Sequence, residues 1–129
     1  MISRKDILKG KNCPEILENN LSELITKLNK LENLSGIHFS ISSGFRDKSD
    51  QIRIYNAKGI YDEGDMHMGS KHFTCQAADC CANGLQEWIL NNKNVLDDLG
   101  LWFEDFKYTP GWTHSQTIRP NSGKRFFIP

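Results

Sequence analysis

The sequence predicts an α+β fold, a small antiparallel sheet flanked by helices. Three observations carry that prediction. Residues 14–33 place apolar side chains at helical spacing, which makes a long amphipathic helix. Several later segments are short, apolar or alternating, and separated by turn residues, as strands are. The chain has 129 residues, of which 38% are hydrophobic. That suits one domain with one core, and helices packed on a small sheet are a stable way to bury it.

The elements follow in order. Pro14 suits the first turn of the helix, and Ile16, Leu17, Leu21, Leu24, Ile25, Leu28 and Leu31 supply its apolar stripe. Asn33, Ser35 and Gly36 stop it. Residues 37–42 alternate, with Ile37, Phe39 and Ile41 against His38, Ser40 and Ser42, which predicts a strand with one buried face. His38 falls on the polar face and receives no role. Ser43-Gly44 then turns the chain toward Phe45 and Arg46. A helix is expected over 48–57, with Ile52, Ile54 and Tyr55 as its contacts. Residues 58–69 are polar and glycine-containing, a loop suited to the border of a cleft. Residues 76–82 read as a strand carrying Asp79, and 84–96 as a second amphipathic helix ended by Gly100. Residues 101–106 and 112–118 form two strands joined by a five-residue loop with Pro110 and Gly111, a hairpin. The tail 119–129 docks through Phe126, Phe127 and Ile128.

Composition removes several classes of function. Lys and Arg number 16, as do Asp and Glu, so the formal net charge is zero. Nothing in that balance favours a nucleic acid or an anionic membrane as partner. No apolar run reaches the length of a membrane span, and the basic start has no apolar segment of the kind a signal peptide carries. Cys13, Cys75, Cys80 and Cys81 lack a disulfide framework and the CxxC spacing of structural zinc sites. They fit synthesis in a reducing compartment. A monomer is expected.

The chemistry concentrates in Ser70-Lys71-His72, Asp79 seven positions on, and Trp112-Thr113-His114. Two imidazoles and a carboxylate are a donor set for catalytic zinc, with the fourth tetrahedral position left open. Zinc in such a set acidifies water near neutral pH, which points to hydrolysis of an amide or ester. Read alone, His72 is also a packed or surface imidazole and Asp79 a turn residue. Ser42-Ser43-Gly44-Phe45-Arg46 upstream and Trp112 downstream favour the metal.

Ser-Gly-Phe-Arg, then Ser-x-His with an Asp seven residues after the His, then Trp-x-His, resembles the zinc peptidases that cut peptidoglycan stem peptides. These are the D-alanyl-D-alanine carboxypeptidases and L-alanyl-D-glutamate endopeptidases, many of them phage endolysins. The resemblance runs from about Ile37 to the end. The segments Trp112–Thr117 and Ser122–Phe126, with Pro129, are similar to a phage and prophage subgroup. It implies a Hedgehog/DD-peptidase-like fold, zinc held by His72, Asp79 and His114, and Arg46 as the cation that steadies substrate or a developing oxyanion. It further implies a stem peptide as partner and action on the cell wall after release from the cytoplasm.

The chain departs from that family twice. Cys75 stands where glycine is usual. Gly111 stands where a glutamate general base precedes the last histidine by three positions. Hairpin geometry offers a substitute. If the hairpin is symmetric about Thr109, Glu104 faces His114 with Cβ atoms about 5 Å apart on one side of the sheet. Glu104 is then the general base. A one-residue slip would hand the role to Asp105. Ser70 anchors substrate or orients His72. Trp112, on the face of His114, walls the cleft or packs in the core. His67 lies at the rim or binds substrate. Two other readings remain open: a metal-containing wall-binding module that has lost its base, and a phage structural component.

Overall fold

A computed structural model describes residues 1–67 and 69–129. The helices are α1 (Arg4–Leu8), α2 (Glu18–Ser35), α3 (Lys48–Ala57), α4 (Leu85–Asn91) and α5 (Leu96–Leu99). The strands are β1 (Ser40–Ser43), β2 (Ala77–Cys81), β3 (Trp102–Glu104), β4 (Thr113–Gln116) and β5 (Phe126–Phe127). The sheet order is β1-β2-β4-β3-β5. This is the expected α+β class. Among the described residues, no helix is long and apolar enough to cross a membrane.

The long helix forms as its spacing predicts. Leu21, Leu24, Leu28 and Leu31 are all fully buried, and Gly36 ends the helix at φ 67°. Only its start moves. Residues Glu15–Leu17 form a separate 3₁₀ turn, which leaves Ile16 exposed at 87% rather than in the stripe. The region expected as one helix over 84–96 breaks at Asn92 into α4 and α5, and Gly100 closes the second at φ 68°. In α3 the buried residues are Asp50 and Gln51, not the expected Ile52, Ile54 and Tyr55. That helix lies over polar loop rather than core, and Gln51 Nε2 donates to the carbonyl of His67.

Two further differences concern short elements. Helix α1 has five residues, too few to show a period, yet it buries Ile7 and Leu8. Ser3 caps it by donating its N–H to Asp6 Oδ2 at 2.8 Å. The sheet is antiparallel except at one edge, where β5 joins β3 in parallel. The chain after β4 crosses back before it pairs, so the docked tail runs with β3 rather than against it. Phe126 packs on Phe103 and Phe106 as expected, whereas Ile128 stays exposed at 62%.

Sheet alternation separates packing from chemistry. Ile41, Ala78, Cys80 and Phe103 join the leucines of α2 in one hydrophobic cluster. Asp79 of β2, His114 and Gln116 of β4, and Glu104 of β3 lie on the opposite face. Gly44, just after β1, holds α1 to this frame. A Cβ built there would lie 2.3 Å from the carbonyl oxygen of Ile7 and 2.8 Å from its Cα. Phe45 N–H donates to that same oxygen. Gly44→Ala is therefore expected to push α1 away and cost about 1–3 kcal/mol, as overpacking does. Denaturant unfolding checks this, and wild-type stability would show that the contact yields freely.

Candidate metal centre

Each of the three expected ligands comes from a different local device. His72 sits in a 3₁₀ turn, Lys71–Thr74, whose first N–H groups need a cap. Ser70 supplies it by accepting the N–H of His72. Ser70 thus orients His72, one of its two expected roles, and it also lines the cleft. Cys75 ends the turn at φ 56°, a left-handed conformation that glycine adopts more easily. Asp79 and His114 are register partners across β2 and β4.

These three side chains converge. One donor atom from each lies within 4.8 Å of the other two, so the group could hold a metal ion. Asp79 Oδ1 is 3.4 Å from His72 Nε2 and 3.1 Å from His114 Nδ1. Zinc bonds of about 2.0–2.1 Å in a tetrahedron separate its donors by about 3.3 Å. The two distances bracket that edge.

The outer atoms settle how the inner ones are presented. His72 Nδ1–H donates to the carbonyl of Gly44 at 2.8 Å. Gln116 turns its amide nitrogen to the carbonyl of Ile118, so its Oε1 accepts from His114 Nε2 at 3.0 Å. Each outer nitrogen is a donor, so in the neutral form of each ring the inner nitrogen presents a lone pair toward Asp79 Oδ1. Three lone-pair donors aimed at one point repel unless a cation lies among them. The residues therefore fit zinc. Their titration agrees. Burial pushes Asp79 upward, but the hydrogen bonds and charges of His114 and His72 outweigh it and hold the carboxyl well below the usual range. Burial depresses His72, with Asp79 opposing. His114 is also penalised by burial, yet its bond to Asp79 raises it overall. Asp79 thus favours a proton on His114 Nδ1, at the lone pair a metal would take.

The centre forms the floor of a cleft of about 760 Å³. Arg46, Ser70, Glu104 and Trp112 line it too, so all seven expected site residues meet in one place. Arg46 Nε donates to Ser43 Oγ at 3.0 Å, which points the guanidinium toward Asp79 Oδ2, 3.6 Å away. The β3–β4 register pairs Trp102 with Gln116 and Phe103 with Ser115. One further step along it sets Glu104 opposite His114, the symmetry about Thr109 that the sequence predicts. Burial raises the Glu104 carboxyl above its usual range, with His114 opposing and Asp79 assisting. Asp105 is directed elsewhere, where its Oδ1 caps the turn Phe106–Tyr108 by accepting from Lys107 N–H. Trp112 is 37% exposed and stands between this cleft and a second groove that holds Gly111. His67 is exposed on the cleft border.

The remaining residues fall outside the centre. His38 is exposed near Glu32. Cys75 is buried in the core, where burial and the neighbouring Cys13 push its thiol up to about 12. Gly111 takes φ 92°, a conformation any other residue would strain to adopt. Two residues of the centre escape sequence reasoning. Gln116 was legible, since period two puts it beside His114 on one face. Gly44 was not, because its role depends on a carbonyl from another element. No family model, curated protein or solved structure matches the chain.

One zinc per chain is expected, with His72→Ala, Asp79→Ala and His114→Ala each abolishing it. Gln116→Leu should weaken it by about 10- to 100-fold, as lost partners of ligands do. Zinc must displace the His114 proton, so affinity should fall as pH drops through that raised pKa. Calorimetry in buffers of different ionisation enthalpy reads both effects; binding without proton release below that raised pKa would contradict displacement of a proton from His114.

Proposed function

We propose that this chain is a zinc metallopeptidase that hydrolyses an amide bond in peptidoglycan stem peptides, in a phage or prophage setting. The observation that carries the reading is the set of three inner lone pairs on the floor of an open cleft that also holds an acid and a cation. Such a set leaves a metal one open position, the mark of a catalytic rather than a structural site. The choice of stem peptide rests on the motif resemblance alone.

His72 Nε2, Asp79 Oδ1 and His114 Nδ1 would hold the ion. When bound, zinc acidifies water and polarises a carbonyl at neutral pH. Glu104 takes the proton of the attacking water and returns it to the leaving amine. A general base works best with its pKa moved toward the working pH, the direction in which burial moves Glu104. Arg46 faces the negative oxygen of the tetrahedral stage and steadies Asp79 meanwhile. Trp112 walls the cleft against the substrate.

A second reading, a metal-holding wall-binding module without turnover, has one observation behind it. Gly111 carries no acid where the resembled family carries its base. The two readings part at Glu104.

Glu104→Gln is expected to lower turnover of purified peptidoglycan by about 10²-fold or more, the usual weight of a general base, while leaving zinc content at one per chain. In the wild type, the acid limb of the rate profile should lie above pH 4.5, since the carboxylate must be ionised to act and its pKa is raised. Mass spectrometry of the digest names the bond cut. An unchanged digest from zinc-loaded wild type would end the peptidase reading in favour of the binding module.

A further inference from the structure

The four cysteines are free thiols and fall into two groups. Cys80 and Cys81 are consecutive on β2, so their side chains leave opposite faces of the sheet. Cys13 and Cys75 are far apart in sequence and meet in space. Cys75 is fully buried in the main hydrophobic cluster. Cys13 is half-buried on the segment between α1 and α2, and it packs against that same cluster. The two thiols interact directly, Cys13 being the neighbour that adds most to the effect of burial on Cys75.

Both flanks of this pair are fastened. Arg4 of α1 donates two bonds to Glu18 at the start of α2, at 2.6 and 3.0 Å. Lys11 pairs with the buried Asp50 at 3.1 Å. Residue 13 is thus held between two anchored stretches of chain. On the other side, Asn20 Nδ2 of α2 donates to the carbonyl of Thr74 at 3.1 Å. Cys75 follows Thr74, and its own N–H is directed to the carbonyl of the ligand His72. A bond between these two sulfurs would therefore join the segment before α2 to the turn that presents a ligand.

We propose that Cys13 and Cys75 are an oxidisable pair, closed by an external disulfide into one intrachain bond that clamps the turn Lys71–Thr74. Access sets the order of steps. The half-buried Cys13 thiolate attacks one sulfur of the external disulfide, forms a mixed disulfide and releases a first thiolate. The Cys75 sulfur then attacks the Cys13 sulfur, which breaks the mixed disulfide and releases a second. The chain loses two electrons and two protons, and the external disulfide becomes two thiols. Cys75 sits in a left-handed backbone that no metal ligation requires, and this chemistry gives its thiol a use. The pair depends neither on the peptidase reading nor on a bound metal.

The test treats the full chain, reduced and freed of reductant, with excess glutathione disulfide. Its intact mass should fall by two hydrogens with no glutathione retained. Fragmentation of a non-reduced digest should place the bond between Cys13 and Cys75. Hydrogen exchange at the amides of Phe73, Cys75 and Gln76, each bonded within the turn, should slow by about tenfold or more and exceed any change in α4. Dithiothreitol should reverse both effects. Cys13→Ser should abolish them. Cys75→Gly, which suits φ 56°, should leave a stable glutathione adduct on Cys13. A lasting adduct on Cys13 of the wild type, or a bond to Cys80 or Cys81, would overturn the pairing. Unchanged exchange in the oxidised turn would overturn the clamp.

Discussion

The contact on which the site depends is the hydrogen bond from His72 Nδ1–H to the carbonyl of Gly44. It determines the tautomer of a nearly fully buried imidazole and so decides which nitrogen faces Asp79. The carbonyl is itself immobilised. Gly44 lies against the backbone of Ile7, and the next residue, Phe45, donates to the Ile7 carbonyl. Arg46 N–H returns a bond to the carbonyl of His72. Helix α1, the turn after β1 and the turn before β2 are thus locked together by backbone groups. The Ser-Gly-Phe-Arg motif has a structural meaning in this frame. Ser43 aims Arg46, Gly44 admits α1 and orients a ligand, and Arg46 reaches the far oxygen of Asp79.

Register does the remaining positioning. Asp79 and His114 face each other because β2 and β4 pair at that level, and Ala78 and Ser115 beside them point into the core. A slip by one residue would bury the ligands and expose the packing residues, so the hydrophobic pattern protects the chemistry. The same logic extends to β3, where Phe103 fills the core and Glu104 therefore turns to the cleft. An acid at position 104 reaches the face of His114 from the neighbouring strand. An acid at position 111 would need a side chain at φ 92°, in a loop that opens on another groove. One backbone thus admits an acid at position 104 and favours glycine at position 111.

What could be read from the chain divides along physical lines. The period of α2, the alternation around Phe39 and Ile41, and the hairpin centred on Thr109 are local signals; each marks its element, although β1 begins only at Ser40 and the hairpin loop is longer than expected, with a 3₁₀ turn over Phe106–Tyr108. The three residues of the candidate centre were legible because few residue types hold a metal ion and three of them stood in suggestive company. The misses are tertiary. Five residues of α1 carry no periodic signal, and the helix exists through its capping and its contact with Gly44. Ile16 satisfies the spacing but falls in a 3₁₀ turn, where the angular step differs and the side chain leaves the stripe. Two residues of β5 pair with β3 in parallel through a return of the chain that no local pattern announces. Cys75 looked like a departure from pattern near a metal. Its left-handed backbone shows that the position constrains conformation, with the thiol turned to the core.

The centre also shows how a fold tolerates a locally unfavourable arrangement. A carboxylate oxygen stands 3.1 and 3.4 Å from two imidazole nitrogens in a largely buried place. Without a metal, Asp79 favours a proton on His114 against the cost of burying charge. A relaxed cluster would let the rings rotate and the acid retreat to water. It cannot relax, because Gly44, Gln116 and Arg46 each hold an outer atom, and the strands that carry Asp79 and His114 are paired through four successive residues. Two of the donor-donor distances already match the edges of a zinc tetrahedron. Binding would then require little movement of the chain. A site built in this way gives up some stability in the metal-free state for a geometry that needs no assembly when the ion arrives.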